Sequence, residues 1–339
     1  MDKTLKTIME EAITGSLNNK KAELLFNRIM AGDFSEIQLS AILASLRARG
    51  ESIEEIIGAT KAMRNHSRKI VGYEDAIDIV GTGGDGKGTL NISTASAIVV
   101  SGVGIKVAKH GNKNISSQSG AANILENLGV NIMMKPEVAQ RCLEDIGICF
   151  MMAPIFHPAM KNVMSVRNEL GIRTVFNILG PMTNPAGVKK QLTGTFSESL
   201  LEPMAQTLLS LGTESAWLVH GGDGTDEISI SDLTKIVEIK DGIIKRFTLN
   251  PTDFGFKLKP FSELVGGNPE FNAAQLMNLL EGQSGAYRDS VLINSAAAIF
   301  ISGLANNLKE GIILAERSID EGKALNKLNQ LKKISFQDT

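Results

Sequence analysis

Asp78-Ile79-Val80-Gly81-Thr82-Gly83-Gly84-Asp85-Gly86-Lys87-Gly88-Thr89-Leu90-Asn91-Ile92-Ser93-Thr94 is the stretch on which the fold turns. A short β-branched run ends at Gly81, a glycine-rich turn follows, and an apolar segment over 95–100 continues at helical spacing. Strand, turn and helix in this order make half of a βαβ unit. Glycines let the backbone turn sharply and approach a ligand closely. The turn's amides and the N-terminus of the next helix suit phosphate oxygens, and Ser93 and Thr94 add hydroxyls. A tight turn with no ligand is the plain alternative; glycine density and context favour the anion site.

The same texture extends outward. Runs at 77–80, 105–108, 148–152 and 216–220 read as strands between helical stretches, which predicts a mainly parallel sheet with helical crossovers. Residues 236–239 and 243–248, split by Asp241-Gly242, read as a hairpin. Helical patterns return after Asn268, including 288–304 and 309–331. Residues 1–70 are helical throughout: Ile37, Ala41, Ile42 and Leu46 repeat at helix spacing, as do Ile53, Ile56, Ile57 and Met63. Ser35 with Gln38 and Ser52 with Glu55 form capping boxes, with Gly32 and Gly50 as stops. The fold class is α/β, with a small helical domain beside a larger α/β domain.

Composition excludes several classes. The chain has 339 residues, 43% hydrophobic and 21% charged, which allows two domains and rules out a disordered or collagenous chain. A net charge of -2 gives no general pull toward nucleic acid or an anionic membrane, so an anion site must be local. Cys142 and Cys149 are too few for a disulfide framework and read as core thiols of a cytoplasmic protein. Neither a signal peptide nor a membrane span is expected.

Residues 81–86 also satisfy G-x-G-x-x-G, but a dinucleotide site wants an acid about 20 residues later, and none occurs from Gly86 through Leu125. Lys87, Lys106, Lys109, His110 and Lys113 lie there instead, a one-sign segment suited to a polyanion. After the 105–108 strand, Lys109-His110-Gly111-Asn112-Lys113-Asn114-Ile115-Ser116-Ser117-Gln118-Ser119 offers charge and hydroxyls where open α/β sheets hold ligands. A third loop, Gly221-Gly222-Asp223-Gly224-Thr225-Asp226-Glu227, places adjacent carboxylates where Mg²⁺ fits; alone it reads as an acidic turn. His157 and His220 lack zinc-ligand spacing, and no Gly-x-Ser-x-Gly or P-loop ending occurs. Residues 150–160 read as core, and Arg167 by itself as a surface or ion-paired residue.

Taken together, Gly81-Thr82-Gly83-Gly84-Asp85, Asn91-Ile92-Ser93-Thr94, Lys109-His110-Gly111-Asn112, Ser116-Ser117, Val166-Arg167-Asn168-Glu169-Leu170-Gly171-Ile172-Arg173-Thr174 and Asp226-Glu227 resemble the anthranilate phosphoribosyltransferases from end to end. The resemblance implies a nucleoside phosphorylase-like α/β domain (71–339), a helical domain (1–70) with a return segment at about 165–190, and a homodimer. It implies transfer of phosphoribosyl from 5-phosphoribosyl 1-diphosphate to the amine of anthranilate in tryptophan biosynthesis, with Mg²⁺ and without a catalytic side chain. Carried over by motif, Gly81, Gly84, Asp85, Thr89, Asn91, Ile92, Ser93, Thr94, Lys109, His110, Gly111, Asn112, Lys113, Asn114, Ile115, Ser116, Ser117 and Ala121 would bind the donor. Ser93, Asp226 and Glu227 would hold Mg²⁺, and Asn112 and Arg167 would meet anthranilate. Lys113, Ala121 and Asn123 stand where the family usually has arginine, serine and aspartate. A nucleoside phosphorylase would bind inorganic phosphate and has little use for Asp226 and Glu227. A nucleic-acid-binding relative is disfavoured by the net charge.

Overall fold

The chain opens with four helices, α1 (Lys3–Thr14), α2 (Asn19–Ala31), α3 (Glu36–Arg49) and α4 (Ile53–Asn65), in a computed structural model that describes residues 3–113 and 119–337. Both expected capping boxes form, Ser35 with Gln38 and Ser52 with Glu55. Gly32 ends α2 in the left-handed conformation, φ 84°. Glu55 does more than cap. Buried completely, it accepts the Leu17 amide at 2.9 Å and pairs with Arg49, so one carboxylate ties α4 to the α1–α2 turn and to the end of α3.

Seven strands follow: β1 (Ile77–Gly81), β2 (Val107–Gly111), β3 (Ile148–Met152), β4 (Lys190–Gly194), β5 (Ser215–Gly221), β6 (Thr234–Lys240) and β7 (Ile243–Leu249). They form one sheet in the order β3-β2-β1-β4-β5-β6-β7. β1 to β5 run parallel, and the β6–β7 hairpin continues the sheet antiparallel beyond β5. Asp241 and Gly242 turn that hairpin with φ 52° and 76°, the left-handed pair a two-residue turn requires. From β1 the chain winds outward through β2 and β3, then returns to the other side of β1 with β4. The strand order therefore reverses between β1 and β4, which makes a crevice at their carboxyl ends.

Three sequence expectations need correction. β2 begins at Val107 rather than Ile105 and runs to Gly111, so Lys109 and His110 lie inside a strand and not in the loop after it. β4 is absent from the sequence reading because Gln191 and Thr193 interrupt any apolar run. Both are buried, and Gln191 Nε2 donates to Thr193 Oγ1 at 2.7 Å and to the Pro181 carbonyl at 3.2 Å. The 309–331 pattern is two helices, Leu308–Asp320 and Lys323–Ile334, broken at Gly322 with φ 70°.

Two apolar clusters fill the interior. One lies around β1 to β3 and the C-terminal helices; the other joins α1 to α4 with Val163, Val166, Phe176, Leu179 and Met182, and reaches Leu208, Leu218 and Ile239. Cys142 and Cys149 are buried free thiols. Among the described residues no helix is long and apolar enough to cross a membrane.

Candidate active site

β1 delivers the glycine-rich turn to the crevice, and helix Ile92–Gly102 leads away from it. Gly83, Gly84, Gly86 and Gly88 all have positive φ, between 63° and 74°. A Cβ at Gly83 would meet nothing within 4 Å, so the requirement at Gly83 is conformational. Gly81 is different: a Cβ there would lie 2.3 Å from Asp226 Oδ2.

Gly81 faces Gly194 across the β1–β4 register. A Cβ on Gly194 would lie 1.6 Å from the Asp226 carbonyl oxygen. These two bare backbones let the third loop lie over the sheet at the switch point, and Asp226 Oδ2 then accepts the Gly83 amide at 2.9 Å. Glu227 Oε1 accepts the Ser93 amide at 3.1 Å. Gly194 was invisible as a site residue in the sequence because the strand that carries it was. Asp223, the remaining acid of that loop, is consumed in holding it: its oxygens accept Thr225 Oγ1 at 2.7 Å and Ser229 Oγ at 2.6 Å.

The expected metal residues therefore converge. Asp226 and Glu227, both half-buried, meet Ser93 and the glycine turn. Burial raises the Asp226 carboxyl above its ordinary range, with the Asp85 carboxylate adding to the push. Glu227 is raised further, by burial and then by Asp226. Asp85 Oδ2 is buried without a hydrogen-bond partner, while its Oδ1 accepts the Lys87 amide at 3.1 Å. Asp226, Glu227, the orphaned Asp85 oxygen and the Ser93 hydroxyl are hard oxygen groups of the chemistry Mg²⁺ takes, and among the described residues no three His, Cys, Asp or Glu side chains are gathered closely enough to hold an ion by themselves.

Lys109 supplies the opposing charge from below. It is buried, with Nζ 2.5 Å from the Ile79 carbonyl and 3.4 Å from Ser93 Oγ. Burial lowers its pKa, against the pull of Asp78, Glu227 and Asp226. Asp78, fully buried, is pushed up to about 6 by burial despite Lys109; it accepts Asn184 Nδ2 at 2.7 Å and the His110 amide at 3.2 Å. The one-sign segment is thus divided. Lys106 lies over the Tyr73 ring, Lys113 pairs with Glu126 at 2.9 Å, and Lys87 leans over Phe261.

His110 is buried against His157, ring centroids 5.0 Å apart, with Nδ1 3.2 Å from the Gly180 carbonyl. Both Nε2 atoms are buried without partners. Burial pushes His110 down to about 3, helped by His157, and His157 down to about 4.

The other expected residues take varied places. The Ile92 side chain is core and can meet a ligand only through its backbone. Thr94 Oγ1 is buried without a partner. Thr89 bridges to Val265, and the Asn91 side chain is held within the protein. Asn112 and Lys113 are exposed beyond Gly111, where a Cβ would lie 2.7 Å from the Phe150 ring. Asn123 Oδ1 accepts the Gly120 amide at 3.2 Å, which closes the turn into the helix beginning at Ala121. Asn114, Ile115, Ser116 and Ser117 lie outside the described residues. Arg167 is half-buried, its guanidinium 5.6 Å from the Phe176 ring centroid, and burial lowers its pKa. Arg173 donates to the Gly84 carbonyl and stacks on Phe196 at 3.9 Å, a tie to the turn that motif reading left without a role.

A helical block packs beside a doubly wound sheet, and a glycine-rich turn meets paired carboxylates at the switch point; this two-part architecture is that of a glycosyl transferase family. The family model "Glycosyl transferase family, helical bundle domain" matches residues 3–67, and "Glycosyl transferase family, a/b domain" matches residues 73–325. An anthranilate phosphoribosyltransferase of Rhodopseudomonas palustris (strain HaA2) is 47% identical over 97% of this chain and 98% of its own. The crystal structure of anthranilate phosphoribosyltransferase from Thermus thermophilus superposes with a TM-score of 0.93 at 39% identity, covering 97% of this chain and 99% of that one. The Saccharomyces cerevisiae enzyme in complex with PRPP and Mg gives 0.89 at 31% identity, covering 99% and 98%. The chain belongs to the anthranilate phosphoribosyltransferase family.

Proposed function

We propose that the protein transfers the phosphoribosyl group of 5-phosphoribosyl 1-diphosphate to the amine of anthranilate, with Mg²⁺, giving N-(5-phosphoribosyl)anthranilate and diphosphate for tryptophan biosynthesis. The observation that carries this reading is the meeting of the glycine turn with Asp226 and Glu227 at the β1–β4 switch point. The donor phosphates would be held by amides and hydroxyls of 81–94 and by the loop after β2. Ser93, Asp226 and Glu227, with Asp85 beside them, would hold the cation.

In the reaction the ribose C1–O bond breaks and its electron pair leaves with diphosphate, while the anthranilate nitrogen forms the C1–N bond and releases a proton. The magnesium ion, when bound, supplies positive charge for the departing diphosphate. The chain's own part is electrostatic and positional. Lys109 sits beneath the acids and keeps their summed charge from repelling a polyanion. An aniline nitrogen is neutral at pH 7, so no side chain has to remove a proton before attack. This accords with the buried, neutral His110 and His157. Arg167 has no carboxylate partner among the described residues and is the group we assign to the carboxylate of anthranilate.

The division at residue 70, with a return segment near 165–190, is our reading of the domains; the family matches ending at 67 and beginning at 73 support it. We also read the protein as cytoplasmic and homodimeric through its helical part, where Ile37 is 83% exposed on α3. Sedimentation equilibrium should give the mass of two chains; a monomer at micromolar concentration would overturn the dimer.

Asp226→Asn with Glu227→Gln tests the site. The folded variant should lose turnover and its response to Mg²⁺. Wild-type turnover with unchanged Mg²⁺ dependence would remove these residues from it.

A further inference from the structure

Asn91 opens the helix that carries Ser93 and Thr94, yet its side chain is spent inside the protein. Nδ2 donates to the Ser119 carbonyl at 3.1 Å. Oδ1 accepts Asn272 Nδ2 at 3.0 Å and Ser119 Oγ at 3.4 Å. Its backbone carbonyl accepts the Tyr287 hydroxyl at 3.2 Å as well as the Ala95 amide. Asn272 and Tyr287 come from helices Pro269–Leu280 and Ala286–Ser302, nearly two hundred residues downstream, and both are buried.

Asn272 has its own second task. Its Oδ1 accepts the Gly267 amide at 2.8 Å, which holds the segment 264–267 against the turn. That segment pairs with the end of the turn: Leu90 N–H donates to the Leu264 carbonyl, Gly266 N–H to the Gly88 carbonyl, and Thr89 bridges Val265. A Cβ on Gly266 would lie 2.8 Å from Asn272 Oδ1 and 3.0 Å from the Thr89 carbonyl carbon. The amide of Asn272 donates at one end and accepts at the other, which an ionised carboxylate of the same shape cannot do.

We propose that Asn272 and Tyr287 are positioning residues for the donor: acting through Asn91, they lock residues 88–93 of the first loop to the Ser119 end of the second. The two loops expected to share one phosphoribosyl diphosphate are joined at this asparagine, and the C-terminal helices set its position. Neither residue is among those expected to contact the ligand. This inference rests on the donor-site reading proposed above.

Donor and acceptor parameters of Asn272→Asp and Tyr287→Phe decide it. Asn272→Asp keeps shape and the bond from Gly267 but loses the donor to Asn91; Tyr287→Phe removes one hydroxyl. Each folded variant should raise the KM and calorimetric Kd for phosphoribosyl diphosphate by roughly tenfold. The KM for anthranilate at saturating donor should stay within about twofold of wild type, since Arg167, the group assigned to the anthranilate carboxylate, makes no contact with this network. In an Asn91→Ala background, adding Asn272→Asp should have no further effect on donor affinity, because residues in one network are non-additive. A lowered melting temperature with unchanged donor affinity in both variants, or additive losses in the Asn91→Ala background, would overturn the proposal. Failure of the wild-type protein to bind the donor would instead overturn the functional reading beneath it.

Discussion

Arg167 is the residue whose meaning changes most between sequence and structure. By sequence alone an arginine before Asn168 and Glu169 is an ordinary surface or ion-paired side chain, and only the family motif gave it a ligand. In the fold it lies against Phe176 and Met164, partly out of water, with no carboxylate beside it among the described residues. A charge-assisted bond to a ligand carboxylate contributes about 1.5 to 3 kcal/mol. Arg167→Ala should therefore lower kcat/KM for anthranilate by roughly ten- to a hundredfold, leave the donor KM nearly unchanged, and hardly affect aniline, which lacks the carboxylate. Steady-state kinetics with both acceptors reads this directly; an equal loss for the two would assign Arg167 to structure. Lys109 shows the opposite kind of surprise. Its charge was legible, but its direction was not, because a two-residue shift in β2 turns a loop lysine into a buried counter-ion for Asp78, Asp226 and Glu227.

β2 and the turn after β3 carry the paired imidazoles. Burial holds His157 near 4, well below the ordinary 6.5, so between those values the unfolded chain takes up a proton that the native chain refuses. Stability must then fall as pH drops through that window. Chemical denaturation between pH 6.5 and 4 should show the wild type losing up to about 3 kcal/mol more than His157→Gln. Parallel losses would mean that His157 is not buried as a neutral ring. At this scale the helices were readable from apolar spacing and caps, and the hairpin from Asp241-Gly242. β4 was not. Its buried positions include Gln191 and Thr193, whose polar atoms are satisfied by partners that no local pattern encodes. The long C-terminal pattern hid its break because apolar residues at helical spacing occur on both sides of Gly322.

For the whole molecule, the sheet order explains why sites far apart in sequence work together. Gly81 and Gly194 end adjacent strands, and the third loop crosses over both, so residues near 85, 93, 109 and 226 share one crevice. Each loop shows its own chemistry in the sequence, but which loop lies over which depends on the β1–β4 contact, which no local pattern marks. On this reading the crevice performs phosphoribosyl transfer to anthranilate. The most direct measurement follows anthranilate fluorescence in the presence of the purified protein as phosphoribosyl diphosphate and Mg²⁺ are added. The emission should decay with diphosphate released mole for mole, and only when donor, metal and acceptor are all present. Steady fluorescence from folded protein with all three present would contradict it.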